Sequence, residues 1–87
     1  MTIETGNRHI VRDPDILGGE PIVRGTRVPV RAIAETWRTG VGAEEIQAHF
    51  PHLTQAQVFQ ALAYFSDNRD EILEHIARNT ERAPATD

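Results

Sequence analysis

The sequence predicts a mostly α domain with a short β element at its N-terminus. Three observations carry that expectation. Apolar residues recur at helical spacing several times after residue 29. The stretch before it is broken instead by glycine, proline and β-branched pairs. The chain has 87 residues and no cysteine, which fits one domain with a modest core and no disulfide or thiolate metal site.

The opening residues 1–8 are polar and are expected to form a flexible arm. His9-Ile10-Val11-Arg12 reads as a short strand, and Asp13-Pro14-Asp15 as a turn in which proline presets a dihedral and aspartate bonds back to the backbone. The run from Gly18 to Val30 holds three of the six glycines, two of the five prolines and two of the nine arginines. Gly18-Gly19 supplies the freedom for a tight turn, and Pro21 favours an extended start. Ile22–Arg24 is a second short strand, expected to pair with His9–Arg12. Gly25-Thr26 ends that strand, and Pro29 sits where a helix can begin.

A first helix is expected from Val30 to Thr39, with Val30, Ile33, Ala34 and Trp37 on one face and Gly40 as its stop. A second runs from Ala43 to His49, its inward contacts Ile46 and Phe50, its positive end faced by Glu44 and Glu45, its end set by Pro51. The third begins at a capping box, Thr54 with Gln57 three residues on, flanked by a Leu53–Val58 staple. Its apolar face is Val58, Ala61, Leu62 and Phe65. Asn68 and Glu71, again three apart, mark a fourth helix to about Ala77 with Ile72, Leu73 and Ile76 inward; one kinked helix over 55–78 is the alternative. A polar tail is expected over 79–87. The whole is a homeodomain-like, winged trihelical helix-turn-helix bundle, one domain over 9–78, with a short N-terminal β element and a C-terminal fourth helix.

Charge is uneven. The net value is −4, but residues 1–40 carry six arginines against five acids, and residues 41–87 three arginines against eight. All nine basic residues are arginine, the side chain suited to bidentate contact with phosphate or carboxylate. Arg24, Arg27, Arg31 and Arg38 are candidates for DNA phosphate, for an acidic partner, or for local pairs such as Arg31 with Glu35. If the third helix enters a major groove, its readers would be Gln55, Gln57 and Gln60, with Tyr64 further along, since glutamine can pair with adenine. That helix carries no arginine or lysine, which weighs against groove reading. His49 and His52 straddle Pro51 without a third ligand, Ser66 has no spaced catalytic partners, and no carboxylate pair stands out; no enzyme, metal or cofactor is expected. No apolar run approaches a membrane span and no secretory signal is visible, which fits a cytoplasmic protein.

The run Asp13-Pro14-Asp15-Ile16-Leu17-Gly18-Gly19-Glu20-Pro21-Ile22-Val23-Arg24-Gly25-Thr26-Arg27-Val28-Pro29-Val30, preceded by Ile10, resembles the opening of the "domain of unknown function 433" family of small prokaryotic proteins. Gly40, Glu44-Glu45-Ile46, Phe50-Pro51-His52-Leu53-Thr54, Val58, Ala61-Leu62 and Tyr64 continue it in register. The resemblance implies a helix-turn-helix-like fold and the role of antitoxin in a VapBC-like toxin–antitoxin pair, whose toxin is a PIN-like ribonuclease. On that reading a homodimer binds operator DNA, and the fourth helix meets the toxin through Glu71 and Glu74. Where the family often has a serine or threonine before the second helix, this chain has Gly42. The alternatives are a protein-interaction module without DNA binding and a stand-alone DNA-binding regulator.

Overall fold

A computed structural model describes residues 1–82 of the chain. Three short strands come first: β1 (Ile3–Glu4), β2 (Ile10–Arg12) and β3 (Ile22–Val23). They form one antiparallel sheet in the order β1-β2-β3, with Ile3 opposite Arg12 and Ile10 opposite Val23. The pairing of residues 9–12 with 22–24 is as expected; the third strand is not. Residues 1–8 were expected as a flexible arm, yet Ile3 and Glu4 add an outer strand to β2. The turn that returns the chain is closed by Thr5, whose hydroxyl donates to the Ile10 carbonyl at 2.6 Å.

Between β2 and β3 the Asp13 carboxylate accepts from the Asp15 amide at 2.9 Å, the turn that Asp-Pro-Asp encodes. Leu17, Gly18 and Gly19 then all take left-handed φ values of 52, 66 and 87°. Two glycines supply this at little cost, while Leu17 is the one non-glycine described residue there. After β3, Gly25 at φ 80° turns the chain, and the Thr26 hydroxyl both donates to the Val23 carbonyl and accepts from the Val28 amide, at 2.8 and 3.0 Å. The conspicuous Gly-Thr-Arg stretch is thus a tight loop that delivers Val28 to the core and Pro29 to the cap of the first helix.

Four helices follow: α1 (Val30–Arg38), α2 (Ala43–His49), α3 (Gln55–Asp67) and α4 (Arg69–Arg82). The capping box forms, with the Thr54 hydroxyl accepting from the Gln57 amide at 3.1 Å and the Gln57 side chain accepting from the Thr54 amide at 2.7 Å. Asn68 leaves helical geometry at φ −132°, ψ 47°, so 55–82 is two helices rather than one kinked rod. Its side chain does not cap α4; it donates to the Tyr64 carbonyl at 3.0 Å and closes α3 instead. The fourth helix runs past the expected end at about Ala77 and takes in 79–82; the rest of the expected tail, 83–87, lies outside the described residues.

The core is one cluster. Ile10 and Val23 from the sheet meet Val30, Ile33 and Ala34 of α1, Ile46 of α2, Val58, Ala61 and Phe65 of α3, and Ile72 of α4. Leu53 and Val58, the expected staple pair, are both buried. No helix among the described residues is long and apolar enough to cross a membrane.

Candidate interaction surfaces

Antiparallel pairing dictates which loops meet. Because Ile10 lies opposite Val23, the 5–9 turn and the 24–27 turn emerge at the same end of the sheet. The Arg24 amide donates to the His9 carbonyl at 2.8 Å, and its Nε to the Arg8 carbonyl at 2.7 Å. Its Nη2 pairs with Glu4. Arg8, Arg24 and Arg27 are all exposed there, beside a half-buried His9. Among the described residues, neither Arg8 nor Arg27 forms an ion pair. Sequence reasoning found Arg24 and Arg27 but missed Arg8, whose membership depends on the strand register.

The four arginines do not form one face. Arg31 is turned inward between Glu20 at 3.0 Å and Glu35 at 3.4 Å, only 12% exposed, so it is a structural ion pair and not a phosphate contact. Arg38 is exposed at the far end of α1, away from the turn that carries Arg24 and Arg27.

Two of the three glutamines expected to read bases, Gln57 and Gln60, are engaged within the fold. Gln57 belongs to the capping box. Gln60 accepts from Asn7 at 3.2 Å and ties α3 to the 5–9 turn. Gln55 differs: its amide nitrogen is buried and has no hydrogen-bond partner among the described residues. Tyr64, read as a further outward position, is 96% buried, the complement of its 4% exposure. A side chain that already fills a local role cannot present its donor and acceptor to a base edge without losing that contact. Base reading by Gln57 or Gln60 would therefore require giving up the Thr54 or Asn7 contact.

Glu71 also has an internal task. Its carboxylate meets Arg12 of β2 at 2.6 Å, accepts from the Tyr64 hydroxyl at 3.2 Å, and lies 3.5 Å from His75. Arg12 in turn donates to the Tyr64 hydroxyl at 3.1 Å. Burial pushes the Glu71 carboxyl up, but the Arg12 hydrogen bond and charge, with help from Tyr64 and His75, outweigh it and hold the carboxyl below its ordinary value. The hydrogen bond to Glu71 raises Arg12, partly opposed by burial. Burial, then the charge of Glu71, raises Tyr64. This triad fastens α4 to the sheet, so Glu71 is not a free partner contact; Glu74 is exposed but paired with Arg78 at 3.1 Å.

A model of the family described as protein of unknown function (DUF433) matches residues 10–65, which run from β2 to the end of the α3 apolar face. The chain belongs to the DUF433 family. A DUF433 member from Anabaena variabilis, solved by crystallography, superposes with a TM-score of 0.73 at 30% identity, covering 83% of this chain and 70% of that one. The uncharacterized protein y4eO of Sinorhizobium fredii is 39% identical over 59 residues, 68% of this chain. That match spans only 27% of y4eO, so this chain corresponds to about a quarter of that relative. The DUF433 match holds the arginine-bearing turn after β3 and the three-helix core, while β1 and α4 lie outside it.

Proposed function

We propose that this DUF433 chain is a non-enzymatic binding protein of the antitoxin type, which holds a PIN-like ribonuclease and, as a dimer in the cytoplasm, contacts operator DNA through phosphates rather than base edges. The nuclease partner follows from the family resemblance. The DNA half rests on one observation: Arg8 and Arg27, neither in an ion pair among the described residues, emerge beside the Glu4-paired Arg24 at one end of the sheet, while Gln57 and Gln60 of α3 are engaged within the fold. Arginine on turns is suited to phosphate oxygens, and such contacts position a protein without reading sequence. Selectivity then comes from the spacing of two basic ends across a dimer and from DNA shape.

Two measurements test this. Fluorescence anisotropy with two duplexes of equal length and unrelated sequence is expected to give affinities within a few-fold of each other; strong preference for one, lost on Gln57→Ala or Gln60→Ala, would restore base reading. RNA cleavage by PIN-like nucleases of the same genome is expected to be inhibited stoichiometrically for one of them; inhibition of none rejects the antitoxin role.

A further inference from the structure

The C-terminal ends of α1 and α3 and the start of α4 enclose a groove of about 240 Å³ lined by Trp37, Leu62, Phe65, Ser66 and Arg69. Its floor is Phe65, only 2% exposed, against which Trp37 packs edge-on at 6.2 Å between ring centroids. Trp37 itself is 44% exposed. It was expected on the inward face of α1, but it lies in the last turn, packed edge-on against Phe65 and outside the buried core. Phe59, three residues before Leu62 and therefore on the same side of α3, is 52% exposed and extends the apolar surface. Two half-exposed aromatics on a small domain are the side chains that anchor protein interfaces.

The groove carries one charge. Arg69 lies over the Phe65 ring, 5.1 Å from its centroid, and among the described residues forms no ion pair. A space of this size falls below the usual range for small-molecule sites, roughly 300–1,000 Å³, and suits one or two apolar side chains. We infer that the groove receives an amphipathic helix of a partner protein, with an apolar anchor on Phe65 and a carboxylate one turn away on Arg69. A second copy of this chain fits less well, because its matching face presents the same arginine, and a two-fold contact through the groove sets like charges together. The inference rests on the reading that this chain docks a partner protein, and it adds where and by what chemistry.

Trp37 is the only tryptophan of the chain, so its emission reports the groove directly. The full-length protein is titrated with a helical peptide bearing leucines at four-residue spacing flanked by glutamates, and with the same peptide bearing lysines. A saturable change in Trp37 emission is expected with the glutamate peptide, at an affinity about threefold above the lysine peptide, as for an exposed ion pair. Arg69→Glu is expected to reverse that order and Arg69→Gln to abolish it, with the circular dichroism unchanged. No response to either peptide, an equal response to both, or an emission change with protein concentration alone, which marks a second copy in the groove, each overturns the inference. The assay contains neither nuclease nor DNA. Its failure therefore removes the groove and leaves nuclease inhibition and duplex binding to be judged separately.

Discussion

At the scale of single residues, the side chains that matter most here are those whose partners lie far away in sequence. Glu71 was assigned to a partner because it sits on an acidic helix; nothing local reveals that Arg12, 59 positions earlier, takes it at 2.6 Å. The same holds for Gln60, engaged by Asn7, and for Arg31, whose pairing with Glu35 was legible at helical spacing while that with Glu20 was not. Gln57 differs: its engagement in the Thr54 capping box is legible in the sequence itself. The Arg12–Glu71 pair makes a pH prediction. The folded state holds the Glu71 carboxyl below its ordinary value, so its stabilising contribution is complete at pH above the ordinary carboxylate range and is lost as pH falls through the lowered value. Arg12, Tyr64 and His75 face that carboxylate from β2, α3 and α4. A double-mutant cycle with Arg12→Met and Glu71→Gln, followed by urea unfolding, is expected to give a coupling of about 1 kcal/mol at pH 7. The coupling is expected to fall only as pH drops below the ordinary carboxylate range, through the lowered Glu71 value. A coupling that does not change with pH would show that the pair acts through packing alone.

At the scale of elements, helices with a clear apolar face and a marked boundary were legible, and elements without either were not. α2 has its expected bounds, α1 ends one residue before its expected end, and α3 starts directly after its expected Thr54 cap, because glycine, proline and that cap punctuate them. β1 is two residues long, too short to show alternation, and exists because β2 offers an edge. The end of α4 was placed early because its apolar periodicity stops at Ile76, although no glycine or proline interrupts the sequence from Arg69 to Arg82. The expected Asn68 cap failed for a specific reason: the amide group closes α3 by donating to Tyr64 rather than opening α4. Capping energetics give a direct check. Thr54→Ala removes an acceptor for one orphan amide of α3 and is expected to cost about 1 kcal/mol, read as a lower midpoint in chemical unfolding. Gly42→Ser supplies α2 with the side-chain cap it lacks and is expected to gain a few tenths of a kcal/mol. No change on Thr54→Ala would mean that packing of Leu53 and Val58 alone sets the start of α3.

At the scale of the whole molecule, the uneven charge seen along the sequence becomes a spatial one. The sheet end gathers Arg8, Arg24 and Arg27 against the single carboxylate of Glu4, while α4 carries Asp70, Glu71 and Glu74. A net charge of −4 disfavours indiscriminate attachment to DNA, so the proposed duplex contact rests on that basic end. The aromatic groove at the junction of α1, α3 and α4 is a separate surface from that end. The salt dependence of duplex binding tests the central claim most directly. Wild-type protein and the Arg8→Ala, Arg24→Ala and Arg27→Ala variants are titrated against one duplex over a series of salt concentrations. Arg8→Ala and Arg27→Ala are each expected to weaken binding regardless of DNA sequence and to reduce the slope of log affinity against log salt by about 1, and Arg24→Ala to reduce it by less, its guanidinium being paired with Glu4. Binding that is absent at low salt, or a slope indifferent to all three substitutions, would contradict a phosphate-contacting sheet end.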